Sequence, residues 1–137
     1  MKQPIAHGPR GSVVLMDSIT QVEPQDAGSV VVSASHGGTS SGRFALEVPL
    51  AVVFFNDAGV GKDGAGIAAL EMLEQRRIPA ACVAHTSARI GDALDMWKNG
   101  VVSFANASAL RAGIAPGDKL AAAVRRCVGS GPLADAP

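Results

Sequence analysis

The chain has 137 residues, enough for one domain with a single core and too few for two ordinary ones. Lys+Arg and Asp+Glu each count 12, and the zero net charge removes the basic field that a general nucleic-acid or membrane-surface binder needs. Hydrophobic residues at 47% against 18% charged exclude a disordered chain, and with aromatics at 4% the core must be built from Ala, Val, Leu and Ile.

Residues 1–12 are rich in Pro and Gly and carry Lys2 and Arg10 without an apolar stretch, so a loose arm is expected there and a secretory signal is not. The longest apolar stretch, 48–55, is broken by Pro49 and falls far short of the ~20 residues that span a bilayer. Residues 13–16 and 18–22 are short β-type runs, read as one bent strand or an edge strand, and 24–28 is a turn. The β-branched run 30–33 lies between Gly28 and the Gly37-Gly38 pair and predicts a buried strand. Residues 40–47 allow about two helical turns, which Pro49 stops.

A second strand follows at 51–55, then the strongest helical pattern, 64–77. There Ile67, Leu70 and Leu73 share one face, with Asp63 at the start and Arg76-Arg77 at the end to suit the helix dipole. After Pro79 come a third strand at 80–84, a helix at 90–99 stopped by Gly100, and a fourth strand at 101–105. A short helix at 107–112 and a last one at 118–127, with Asp118 as its N-cap, complete the pattern. Residues 129–137 read as a flexible tail, leaving 13–128 as one α/β domain.

Strands alternating with helices predict a parallel sheet with helices on both faces: a small three-layer, Rossmann-like or flavodoxin-like sandwich of four to five strands. Its surface is apolar for its size, so a homo-oligomer is expected. Cys82 and Cys127 form no CxxC pair, and a reducing cytoplasm is the expected compartment.

In such sheets ligands bind beyond the carboxyl ends of the strands. Each of the four strands is followed at once by a polar or Gly-rich run, so all four runs are expected on one edge. The first holds His36, Gly37, Gly38, Thr39, Ser40 and Ser41, a backbone cradle for an anion. The second holds Asn56, Asp57, Gly59, Gly61 and Lys62; the third, His85, Ser87 and Arg89; the fourth, Asn106. Turn chemistry alone accounts for Gly, Ser and Asp but not for two histidines, a lysine and an arginine together.

Residues 59–64 fit G-x-G-x-x-G, yet the glycines start late after the strand, and His85 stands where a ribose-binding carboxylate is needed. The same loop is not a Walker A, because Asp63 follows Lys62. No G-x-S-x-G elbow supports a serine triad, and no histidine pair has helical metal-ligand spacing, so neither metal nor cofactor is expected.

The expectation is therefore a small enzyme acting on a carboxylate- or phosphate-bearing metabolite by cofactor-independent acid/base chemistry: hydrolysis, isomerisation or elimination. His36 and His85 handle protons; Asp57 orients or shares that work; Lys62 serves as base, nucleophile or cation; Arg89 and the glycine-serine loop hold the anion. Two alternatives carry weight: a non-catalytic binding module or small subunit of a larger enzyme, and a nucleotide- or dinucleotide-binding protein.

Overall fold

The computed structural model describes residues 1–8 and 11–129. Its centre is one mixed six-stranded sheet in the order β1-β2-β3-β4-β5-β6, so every strand lies beside its neighbour in sequence. The strands are β1 (Lys2–Gly8), β2 (Gly11–Met16), β3 (Val30–His36), β4 (Val52–Asn56), β5 (Ala80–Val83) and β6 (Val102–Ala105). β2 to β5 are mutually parallel; β1 and β6 run antiparallel at the two edges.

Two apolar layers flank the sheet because the strand residues alternate. Val14, Met16, Val31, Val53, Phe55 and Cys82 face one layer; Val13, Leu15, Val30, Val32, Phe54 and Val83 face the other. The first layer is covered by the links between parallel strands: a 3₁₀ turn at Ile19–Gln21, α1 (Thr39–Leu46) and α2 (Ala68–Glu74). The second is covered by α3 (Ala93–Asn99) and α5 (Leu120–Val128), with α4 (Ala107–Arg111) beside them. No helix among the described residues is long and apolar enough to cross a membrane.

This architecture is still α/β with helices on both faces, but it corrects the expected flavodoxin-like parallel sandwich. The strand order never reverses, so there is no topological switch point and no crevice of the kind a doubly wound sheet opens there. The fourth expected strand, β6, points the wrong way for that fold, and α3 is the reason. It starts at Asp92, with the Ala93 N–H on the Asp17 carboxylate just beyond β2. It ends at Gly100, which packs on Val83 at the end of β5. Seven residues reach only about 10 Å, and α3 uses them crossing the sheet near one edge. The chain has not descended, so β6 must run down from that edge, antiparallel.

Several local expectations also change. The expected loose arm carries β1, whose Ile5 and Ala6 pack on the second layer and whose Lys2 ammonium bonds Glu23 (2.6 Å) and Asp26 (2.9 Å). Residues 18–22 are not a strand but the 3₁₀ turn, capped by the Ser18 hydroxyl on the Thr20 N–H. The helix expected from Gly64 starts only at Ala68, because Asp63 and Gly64 hold left-handed backbone (φ 56° and 72°). Asp118 does not cap α5, which Lys119 precedes; its carboxylate accepts from the Ala115 N–H and the Arg126 guanidinium. Of the expected tail, 130–137 lies outside the described residues.

Candidate functional site

Three of the four polar runs do meet at one edge, beyond the ends of β3, β4 and β5. Asp57 follows β4 directly and is buried, its side chain 6% exposed. Its Oδ1 accepts the backbone N–H of Gly59 (2.8 Å) and of His85 (3.0 Å), and its Oδ2 accepts the Ser103 hydroxyl (2.7 Å). Burial works against the charged carboxylate. The bonds from Ser103, Gly59 and His85 outweigh it and hold Asp57 below the ordinary carboxyl value of 3.8.

The His85 imidazole lies over this carboxylate, with Nδ1 at 3.4 Å from Asp57 Oδ1 and its side chain 55% exposed. At that spacing the ring nitrogen and the carboxylate are in polar contact, longer than a close hydrogen bond. A fixed negative charge beside Nδ1 favours the tautomer with the proton there, which makes Nε2 the acceptor nitrogen. Of the two expected proton-handling histidines, the carboxylate therefore serves His85. His36, at the end of β3, instead lies over Gly38 at the start of α1, where a Cβ would come 2.6 Å from its Nε2.

The loop after Asp57 is held in an unusual shape. Ala58, Gly59, Val60 and Gly61 all have positive φ (51°, 79°, 68° and 76°). For Ala58 and Val60 that costs about 1–2 kcal/mol each. The opposing bonds are specific. Asn56 Oδ1 accepts the Ala58 N–H, Asp57 Oδ1 the Gly59 N–H, and the Asp57 carbonyl the Val60 N–H (2.7 Å). The loop then closes on Gly66, whose N–H donates to the Val60 carbonyl and whose Cα lies so close to the Asp57 carbonyl that a Cβ there would collide with it. Gly59 sits beside the His85 ring, whose Cε1 lies 3.5 Å from where a Gly59 Cβ would stand.

The third run is anchored with equal care. Asn56 Nδ2 donates to the Ala88 carbonyl (2.9 Å), the Arg89 N–H to Asp95 Oδ2 (2.8 Å), and the Gly91 N–H to the Ala34 carbonyl (2.9 Å). Between those ties the side chains of Arg89 and Ile90 project to solvent. With Ala58 and His85 they line an open recess of about 470 Å³.

The remaining expected residues divide by role. Asn56 and Ser87 are structural: the Ser87 hydroxyl donates to the Ala84 carbonyl (2.7 Å) and accepts the Val101 N–H. Gly37 is buried, with its N–H on the Asn56 carbonyl and its own carbonyl accepting the Ala69 N–H. Gly38, Thr39, Ser40 and Ser41 form the start of α1, which has no side-chain cap; Thr39 and Ser40 are exposed, Ser41 buried. Gly61 and Lys62 are exposed and do not line the recess. The G-x-G-x-x-G stretch leads into a 3₁₀ segment rather than a helix, and the carbonyl of Gly37 occupies the first turn of α2.

Asn106 is a correction. Because β6 is antiparallel, its end lies at the opposite edge. There Asn106 Oδ1 accepts the N–H of Ala80 and Ala109, and Nδ2 donates to the carbonyls of Leu70 and Ile78. It ties the backbone together there, away from His85 and Arg89. That edge has a larger recess, about 700 Å³, but its carboxylate, Glu74, already accepts from the Ser108 N–H and hydroxyl and from Arg111.

The sequence reading missed Ser103, Ile90 and Gly66. Ser103 sits mid-strand where nothing local marks a bond to Asp57, 46 residues away. Gly66 had a signal, a second glycine in a supposed helix. Among the described residues no cluster of three metal-ligating side chains occurs. No family model matches the chain, and neither a curated protein nor a solved structure matches it.

Proposed function

We propose that the protein is a small enzyme acting on a carboxylate- or phosphate-bearing metabolite by cofactor-independent acid/base chemistry, with His85 as the proton-transferring residue. One observation carries this reading: a buried, ionised carboxylate under an exposed imidazole, at a recess that also holds an arginine. Asp57 orients His85 and favours the tautomer with Nε2 open; Arg89 binds the anion. The strain at Ala58 and Val60 supports the reading, since such backbone concentrates at working sites. Hydrolysis, isomerisation and elimination all need a base of this kind. The cytoplasm is the proposed setting, in keeping with the buried Cys82 thiol. A homo-oligomer is also proposed, since Phe104 and Leu110 are exposed.

The test is a titration of the imidazole-labelled protein with acetate and with inorganic phosphate, followed by NMR. The His85 resonances should move on addition of either anion and stay still in Arg89→Gln. A turnover screen of carboxylate and phosphate esters, amides and hydroxy acids should then give an activity that His85→Gln abolishes. Imidazole resonances indifferent to every anion, or an activity that survives His85→Gln, would overturn the reading. A second reading, a binding module, is favoured by the openness of the recess; there the anion would bind as above with no turnover on any compound.

A further inference from the structure

The recess at His85 has one charged wall and one apolar wall. Ile90 is 53% exposed, one of the few large apolar side chains the fold leaves outside. An isolated exposed isoleucine needs no explanation. This one is held in place. Asp95 fixes the backbone before it through the Arg89 N–H, and the Ala34 carbonyl fixes the backbone after it through the Gly91 N–H. A chain tied on both sides, with Gly91 at φ 82° completing the turn, keeps Ile90 beside Arg89 instead of letting it fold onto the core. The Ala58 methyl, set by its left-handed backbone, lines the same recess. Among the described residues, no polar side chain lines it apart from the imidazole and the guanidinium.

Resting on the proposed acid/base reading, we infer that the substrate is a small carboxylate with an aliphatic or aromatic body, and not a phosphosugar or other polyhydroxylated anion. The carboxylate pairs with Arg89, and the apolar body lies on Ile90 and Ala58. That pose keeps the substrate within the recess that His85 also lines. A sugar would leave its hydroxyls facing Ile90 and Ala58 without hydrogen-bond partners, which is unfavourable.

The experiment compares hexanoate, acetate, inorganic phosphate and glucose 6-phosphate as probes. It follows the His85 ring and the Ile90 δ1 methyl by NMR in the wild type, in Ile90→Ser and in Arg89→Gln. Both replacements are at exposed positions, and a backbone spectrum confirms that each variant folds. Hexanoate should bind about tenfold more tightly than acetate, as burial of two or so methylenes gives. Ile90→Ser should erase that preference while keeping acetate binding, and Arg89→Gln should abolish both. Equal affinity for acetate and hexanoate, or tighter binding of glucose 6-phosphate, overturns this inference and leaves the acid/base reading standing. A hexanoate preference that persists in Ile90→Ser also overturns it. No binding of any probe overturns both. If the Ile90 methyl broadens with protein concentration and no ligand, the residue is a subunit contact, and the inference falls.

Discussion

Asp57 and His85 follow adjacent parallel strands, and the carboxylate of the first holds both the backbone N–H and, at 3.4 Å, the ring of the second. The side chain that orients the imidazole thus also fixes the loop that carries it. Asp57→Asn should retain part of the loop geometry but lose the fixed charge. The tautomer bias of His85 should then weaken, measurable from its ring nitrogen shifts, and the protein should lose roughly 1–3 kcal/mol in urea unfolding.

The pH dependence follows from the same carboxylate. In the unfolded chain Asp57 takes up a proton near pH 4, while in the folded protein it does so only at lower pH. Between those values the unfolded state binds more protons, so stability falls as pH falls. The Asp57 contribution is complete above about pH 5 and is lost as pH drops through the folded value. Asp57→Asn should therefore be less stable than wild type at neutral pH, with the gap narrowing on acidification below pH 4. A constant gap from pH 7 to 3 would show that the charge does not matter.

Gly66→Ala should be among the most damaging single-methyl changes. The added carbon would collide with the Asp57 carbonyl and crowd that of Val60, at 2.9 Å. Both are backbone atoms of the strained loop and have little room to yield. A loss of about 3 kcal/mol or more is expected, read as a lowered Tm or failure to fold.

Asn106→Ala separates structure from binding. It removes four hydrogen bonds, three of them buried, at the edge away from His85. Stability should fall by roughly 2–4 kcal/mol, while acetate binding at Arg89 and His85 stays within twofold of wild type. A selective loss of anion affinity in a fully folded variant would restore Asn106 to the site.

Arg77→Gly should stabilise. Arg77 has φ 56°, with its N–H on the Glu74 carbonyl and the Ile78 N–H on that of Leu73. This is the Schellman ending of a helix, in which glycine normally takes the left-handed position. Arg77 is exposed, so its replacement costs little packing. A gain of about 1 kcal/mol is expected, visible as a higher denaturant midpoint.

Much of this was legible from the residues. The apolar runs around Val31, Val53 and Cys82 read as buried strands, and the polar residues after them do gather at one edge of the sheet. The direction of β6 was not legible, because it depends on how far the short α3 carries the chain. That misplaced Asn106. β1 was hidden because an edge strand with a proline and alternating polar residues has the composition of an arm. The left-handed backbone at Ala58 and Val60 falls on residues that do not advertise it, while Asp63 and Gly64, also left-handed, read as a helix start four residues before the real one. Ser103 was invisible because its role lies entirely in a distant partner.

The sequential strand order has a consequence for how the chain reaches this state. Every strand pairing joins neighbours along the chain, so the sheet can grow from one side as successive segments become available, with small loop-closure penalties. The return of α3 and α5 onto β2 and β3 instead joins segments far apart in the chain. The pairing of β4 with β5 brings Asp57 and His85 together, whereas the Ser103 bond also needs β6 on β5, so the full cluster requires three strands to be in place.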